Sequence, residues 1–366
     1  MTPQPVLPDY TGGNVRGIVP ALLAPASAPW PNWMPVAAHT ASQVVLLVLD
    51  GLGWEQLAER STIAPTLSGM AGGPITTVAP STTSTALTSI ATGLTPGEHG
   101  LVGYRIDVAG EVMNVLRWHT SAGDARRTIE PRRMQPFAPF LGESVPVVSR
   151  AELEGTAFTE AHMRGSKPRG WRSVSSIPVV VNDLLRSGER FVYAYYDGID
   201  KIAHERGFGP HYDAELRLAD RLVADVLDAL PAGAVLLVTA DHGQVQVGDR
   251  LVTPHADVLR HVRYQSGEGR FRWLHARPGA HADLLDAARL HHGDVAWVHS
   301  RAELIEAGWF GPLVSPPVAA RYGDVALVPF ESISFDDPDD SGPFVLQCRH
   351  GSLTSAEMLV PLLASS

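Results

Sequence analysis

The side chains able to do chemistry in this chain fall into two groups: scattered carboxylates and imidazoles, and one run of hydroxyls. Asp50 follows the apolar run Val44-Val45-Leu46-Leu47-Val48-Leu49. Asp200 and His204 follow a second run, Phe191-Val192-Tyr193-Ala194-Tyr195-Tyr196. Asp241 and His242 end a third, Ala234 to Ala240, and His350 stands near the C-terminal end. Three Asp and three His make two sets of three ligands, and mixed carboxylate–imidazole ligation suits zinc, with a position at each ion left open for substrate. Asp200 and His204 are four apart, so one helical turn puts both on one side. Asp197 is the alternative to Asp200, and the spacing to His204 favours Asp200. Two nearby divalent ions stabilise both the attacking and the leaving oxygen of an in-line displacement at phosphorus.

The hydroxyl run is Ile75 to Gly93, with Ser81-Thr82-Thr83-Ser84-Thr85 at its centre. Ile75 to Ala79 reads as extended, and Pro80 biases Ala79 away from helix. Ala86, Leu87, Ile90 and Ala91 recur at helical spacing, and Gly93 with Pro96 closes the helix. A hydroxyl is thereby placed at a helix N-terminus, where free N–H groups and the dipole favour an anion. Taken alone the run is a Ser/Thr capping turn; beside six metal-ligand candidates it is a nucleophile presented to a phosphate.

These groups need elements that gather them. The three apolar runs are the mark of strands buried on both faces. Helices are expected over Trp54 to Met70, Ile177 to Leu185 and Tyr212 to Leu230, the last with Leu216, Leu218, Leu222, Val223, Val226 and Leu227 on its apolar side. Val145 to Val148 is a further short strand. Alternation of strand and helix predicts an α/β fold: a mostly parallel central sheet with helices on both faces. Ligands bind such sheets beyond the carboxyl ends of the strands, where Asp50, Asp200 and Asp241 stand. Carboxylates gathered at one edge repel, and a metal cation relieves that.

Residues 1 to about 40 read as a Pro- and Ala-rich arm over the core. Residues 105–142 read as an irregular excursion near the active face. Residues 248–330 read as a small inserted α+β subdomain, with strands Arg270 to Leu274 and Val295 to His299 and helices Ala280 to Leu290 and Ala302 to Ala307. The expected organisation is a core first part over 1–247, the insertion over 248–330 and a closing part over 331–366, in which Phe344 to Cys348 returns to the core.

With 366 residues the chain can bury a sizeable core. A net charge of -10 and a pI near 5.8 argue against coating a nucleic acid duplex, but not against a small phosphorylated substrate. One cysteine, Cys348, permits no intramolecular disulfide. No basic-then-apolar leader and no membrane-length apolar run is present, so the expectation is a cytoplasmic protein with no membrane partner.

At these residues the chain resembles the alkaline phosphatase superfamily, and most closely its type I phosphodiesterase/nucleotide pyrophosphatase branch. The matching pieces are Val48-Leu49-Asp50-Gly51, Ala79 to Thr83 with Ala91-Thr92-Gly93, Glu98-His99-Gly100, Tyr196 to His204, Thr239 to Gly243, and His350-Gly351-Ser352 before Glu357 to Pro361. They stand in the family's order over residues 44 to 362. The resemblance implies an alkaline-phosphatase-like fold and two divalent metal ions, most simply Zn2+. Asp50, Asp241 and His242 would hold one, together with the nucleophile oxygen, and Asp200, His204 and His350 the other. The nucleophile falls on Thr83, with Ser81, Thr82 and Ser84 as competitors. The implied function is hydrolysis of phosphodiester or nucleotide pyrophosphate bonds through a phospho-threonine-type intermediate. A phosphomonoesterase or phosphonate hydrolase on the same core is the alternative, and a catalytically silent metal-binding protein is the contrary class. Two departures stand out. Gly103-Tyr104 replaces the asparagine that the family places after its His-Gly element, and Ser84-Thr85 replaces the aromatic and Pro-Asn residues after the nucleophile. Both weaken the nucleotide reading and leave the metal reading intact. The Cys/Ser-x-Pro-x-Arg setting of the sulfatases is absent.

Other candidates have plainer roles. His99 is expected behind the site as a structural residue. His255 and the pair His291-His292 are expected on surfaces or loops, and Cys348 in core packing. The pairs Arg126-Arg127 and Arg132-Arg133 are expected as solvated charge, with a leaving phosphate as their sharper use.

Overall fold

The computed structural model describes residues 3–25, 27–340 and 345–365. Six strands enter first: β1 (Gln43–Leu49), β2 (Ala71–Thr76), β3 (Pro146–Arg150), β4 (Lys167–Trp171), β5 (Phe191–Tyr196) and β6 (Ala234–Thr239). Four more, β7 (Val262–Glu268), β8 (Phe271–Ala276), β9 (Ala296–Ser300) and β10 (Val325–Pro329), make a second sheet, and β11 (Leu359–Ser365) returns to the first. The main sheet has seven strands in the order β2-β11-β6-β1-β5-β3-β4, and β11 alone runs against the rest.

β1 is the middle strand. Its Val44 to Leu49 are buried throughout, as a strand covered on both faces must be. Leu46 sits level with Leu237 of β6 on one side and Tyr193 of β5 on the other. The register persists past the strand ends, where Asp50 N–H donates to Tyr196 O at 2.9 Å. Three parallel neighbours therefore end together, and the acids after them emerge at one edge.

The helices that matter here are α1 (Thr83–Thr92), α2 (Ala157–Met163), α3 (Gly198–Arg206), α4 (Pro210–Ala229), α5 (Ala256–Leu259) and α6 (His281–His292). Gly93 closes α1 in the left-handed conformation, φ 74°, as the sequence predicts. α4 buries Leu216, Leu222, Val223 and Val226. Leu218, expected on that face, is 40% exposed, because two residues turn a side chain about 200° around the axis. No helix among the described residues is long and apolar enough to cross a membrane.

Further expectations need correction. Trp54 to Met70 is two helices, Trp54–Glu59 and Pro65–Gly69, because Pro65 holds Ala64 out of the helical region at φ -118°, ψ 65°. Part of residues 105–142 is regular: Arg105–Val108, Glu111–Asn114, His119–Thr120 and Gly123–Asp124 form an antiparallel sheet. Its first turn is Ala109-Gly110 with both φ positive, 57° and 89°, the two-residue hairpin geometry. The returning strand near residue 348 is only Cys348–Arg349, and Phe344 lies outside the described residues. β11 was not foreseen, since Pro361 within it reads against a strand.

The second sheet alternates between two cores. Phe271 and Trp273 of β8 join the main core, while Leu274 faces a smaller cluster with Val258, Leu284, Leu327 and Phe335. Between β7 and β8 the chain turns through Gly269-Arg270 and drives that tip into the main body. Arg270 and Glu357 are both fully buried and paired twice, Nε to Oε1 and Nη2 to Oε2, each at 2.7 Å. Glu357 also accepts the Ser352 N–H at 3.0 Å and the Thr354 hydroxyl at 2.6 Å. Removing one partner of such a pair strands a buried charge. Arg270→Ala is therefore expected to cost about 3–5 kcal/mol, read as a lower urea midpoint. A midpoint within error of wild type would show that the pair does not hold the tip.

Candidate active site

Thr83 is the first residue of α1, with Thr82 extended before it. Among Ser81 to Ser84 it alone is not fully buried. Ser81 spends its hydroxyl on Ser352 O at 2.7 Å, and Ser84 on Gly103 O at 2.8 Å. Thr83 Oγ1 lies 3.1 Å from His242 Nε2. Of the four, Thr83 is the one whose hydroxyl meets the acid–imidazole cluster.

The cluster draws on three strand ends and the His350 segment. His242 Nε2 stands 3.4 Å from Asp50 Oδ1 and 3.5 Å from Asp241 Oδ2. Asp200 Oδ1 lies 3.2 Å from His204 Nε2 and 3.9 Å from His350 Nε2. Asp50, Asp241 and His242 converge as one set of donors and Asp200, His242 and His350 as another. His242 therefore stands between the sets, its ring stacked on His350 at 3.7 Å. Asp197 is occupied elsewhere: Arg150 Nε approaches it at 2.8 Å and Lys201 pairs with it. Asp200 is the one that faces His204.

The imidazoles are oriented alike. His204 Nδ1 meets Cys348 O at 2.7 Å, His242 Nδ1 meets Gly243 O at 3.0 Å, and His350 Nδ1 meets Ser81 O at 3.0 Å. A carbonyl only accepts, so each Nδ1 carries a proton, and each Nε2 is turned toward the carboxylates. This is the arrangement by which outer partners orient metal-ligating histidines. Asp241 Oδ1 accepts the N–H groups of Gly51 and His242, both at 3.1 Å. Asp50 Oδ2 accepts the Tyr195 hydroxyl, and Asp200 Oδ1 accepts Gln244 Nε2 at 3.0 Å. The remaining oxygens, Asp50 Oδ1 and Asp241 Oδ2, are buried with no hydrogen-bond partner.

Electrostatics push both kinds of group toward neutrality. Burial raises the Asp50 carboxyl well above its usual range, and the carboxylates of Asp241 and Asp200 add to it. Burial raises Asp200 against the pull of His204, and Asp241 against that of His242. Burial lowers His242, and it lowers His350 well below the usual imidazole value with help from His242 and His204. Buried acids that resist ionisation beside buried imidazoles that resist protonation make a site short of positive charge.

Sequence reasoning did not foresee Tyr195, Gln244 or Glu268. Tyr195 alternates correctly along β5 to face Asp50, and Gln244 directly follows Asp241-His242-Gly243, so both carried a weak signal. Glu268 carried none. It comes from the β7–β8 tip, is buried, and has one carboxyl oxygen without a partner. A Cβ on Gly351, where φ is 125°, would come within 2.9 Å of its Cγ. Burial pushes its carboxyl up to about 8, against a hydrogen bond from Thr82.

The lesser candidates fall as follows. His99 is fully buried behind α1 on Ser89 Oγ at 2.9 Å. Cys348 is buried, and burial pushes its thiol up to about 12. Arg132 and Arg133 are exposed and paired with Glu160 and Glu130. His255 and His291 do not stand alone: their rings stack with centroids 3.7 Å apart.

A cavity of about 260 Å³ opens beside Thr83 and Asp50. Leu87, Val147, Phe158, Met163 and Tyr193 are among its walls. The Tyr193 hydroxyl is buried without a partner.

The family model for type I phosphodiesterase / nucleotide pyrophosphatase matches residues 44–353. No curated protein sequence is similar enough to match the chain. Among solved structures, the chain is similar to murine ectonucleotide pyrophosphatase / phosphodiesterase 5, with a TM-score of 0.65 at 14% identity over 87% of each chain. An inactive variant of that murine protein in complex with AMP gives a TM-score of 0.65 at 14% identity, over 88% of this chain and 87% of that one. Phosphonoacetate hydrolase from Sinorhizobium meliloti 1021, in complex with phosphonoformate, gives 0.64 at 17% identity over 89% of this chain and 90% of its own.

Proposed function

The chain belongs to the type I phosphodiesterase / nucleotide pyrophosphatase family, and on that premise we propose that it is a two-metal hydrolase of phosphodiester or nucleotide pyrophosphate bonds with Thr83 as nucleophile. The donor set fits two divalent cations. Two carboxylate oxygens are buried without partners, and three Nε2 atoms turn inward toward the carboxylates. Asp50, Asp241 and His242 would hold one cation beside the Thr83 oxygen, and Asp200, His204 and His350 the other. Carboxylate and imidazole together make zinc the expected ion. When bound, such ions stabilise charge on phosphoryl oxygens and make a hydroxyl reactive at neutral pH.

The chain's own residues do the rest. Thr83 attacks phosphorus, forming an O–P bond as the bond to the leaving oxygen breaks. Water then cleaves the phospho-threonine and returns the free hydroxyl. The free N–H groups of the first turn of α1 favour the phosphoryl anion. The carbonyls of Gly243, Cys348 and Ser81 keep each imidazole in one tautomer, and Tyr195 fixes Asp50. We read residues 1–247 and 331–366 as the core that supplies this machinery and 248–330 as an insertion into it.

One observation carries the diester reading: the largely apolar cavity at Thr83. Among its described lining residues Lys201 is the only Lys or Arg, and it is already paired with Asp197. An apolar wall suits the organic group of a diester, and it offers a monoester's second charge no unpaired Lys or Arg among the described lining residues. The test is a comparison of kcat/KM on bis-p-nitrophenyl phosphate, thymidine 5′-p-nitrophenyl phosphate and p-nitrophenyl phosphate, with zinc supplied. Preference for either diester supports the proposal. A clear preference for the monoester replaces it with a phosphatase.

A further inference from the structure

Among the described residues, three sets of His, Cys, Asp or Glu side chains converge so that one ligand atom of each lies within 4.8 Å of the others. Two belong to the candidate active site. The third, His255, Asp257 and His291, shares no residue with them. It lies where the N-terminus of α5 meets the last turn of α6, beside the second sheet. We propose that this third set is a separate binding site for a divalent transition-metal ion of the zinc type.

The geometry has a centre. Asp257 Oδ2 lies 3.6 Å from His255 Nδ1 and 3.4 Å from His291 Nε2. The other oxygen of Asp257 is held by Arg260 Nη1 at 3.2 Å, which turns Oδ2 toward the imidazoles. The two rings stack face to face with centroids 3.7 Å apart and planes 10° off parallel. Two imidazolium cations would repel at that distance, so plain ion pairing of both with Asp257 does not account for the arrangement. A cation shared by the two rings and Asp257 does account for it, each imidazole then offering a lone pair. The frame is tied as well: His255 N–H donates to Nε2 of His292, the residue after His291, at 3.1 Å.

His255 Nδ1 also accepts the Asp257 N–H at 3.1 Å. A cation on that nitrogen displaces one exposed capping bond of a four-residue helix. Two imidazoles and a carboxylate are a three-ligand zinc set, with remaining positions open to water. Side-chain exposures of 48%, 47% and 25% for His255, Asp257 and His291 leave room for that water. The ion would cross-link α5 to α6, and so brace the unit whose hairpin tip reaches Thr82.

The test counts metal. Wild type, His291→Ala and Asp257→Asn are dialysed against the same graded Zn2+ concentrations, and zinc per chain is measured by mass spectrometry. The expected result is one more zinc per chain in wild type than in either variant. Hydrolysis of bis-p-nitrophenyl phosphate is unchanged, and the rise in unfolding temperature on adding Zn2+ is larger in wild type. All three residues are solvent-facing, so both variants are expected to fold, which circular dichroism checks. Equal zinc in wild type and both variants overturns the proposal. So does loss of hydrolysis together with the zinc, because the site would then not be separate.

Discussion

Thr83→Ala is expected to lower the rate of bis-p-nitrophenyl phosphate hydrolysis by about 10³-fold or more, the scale on which removal of a covalent nucleophile acts. The expectation rests on what the substitution leaves intact. Thr83 Oγ1 contacts His242 Nε2 and anchors nothing in the core, so the unfolding temperature should stay within experimental scatter of wild type. Thr83→Ser keeps the oxygen and should retain most of the activity. Ser84→Ala is the contrast: it removes a buried bond to Gly103 O, so it should lower stability by about 1 kcal/mol and spare the chemistry. A Thr83→Ala protein with more than a tenth of the wild-type rate would move the nucleophile elsewhere.

The second large effect has two opposite signs in one variant. Asp241→Asn keeps an oxygen to accept the Gly51 and His242 N–H groups, and its new amide can donate toward His242 Nε2. As a ligand change it should lower zinc-supported hydrolysis by more than the roughly 10–100-fold typical of outer partners. Without metal it should stabilise the fold. Burial raises the Asp241 carboxyl above its usual range, so the folded chain holds that proton more tightly than the unfolded chain. For such an acid, stability is intact below the unfolded value near 4 and is lost as pH rises through the folded value. Chelator-treated wild type should therefore lose this contribution as pH goes from 5 to 8. The Asn variant should lose less and be about 1–4 kcal/mol more stable at pH 8, the gap closing near pH 4. Parallel melting curves for the two proteins across that range would refute the charge-crowding account.

The groups of the candidate site were legible because they obey short rules. Val44 to Leu49, Phe191 to Tyr196 and Ala234 to Thr239 are apolar on both faces, so they had to be inner strands, and the acids after them had to emerge at one edge. Asp200 and His204 sit one helical turn apart. What stayed hidden depends on contacts distant in sequence. The carbonyls that orient His204 and His350 belong to Cys348 and Ser81, and nothing local marks a carbonyl as a partner. Glu268 reaches Thr82 and Gly351 only because a hairpin tip is driven into the core. His255 and His291 read as separate surface residues until two helix ends bring their rings into contact. The small sheet after Arg105 escaped because its strands are four residues or fewer and its turn carries one glycine.

The β7–β8 tip has a consequence for how such a chain can diversify. It carries the acid Glu268 toward Thr82 and the base Arg270 to Glu357, two anchors on either side of Gly269. Grafting residues 248–330 from a relative would therefore succeed only as a matched set with Glu357. Interchangeable parts of this architecture should be inherited as tip and socket together, so a chimaera that respects the strand boundaries but not that pairing should fail to assemble.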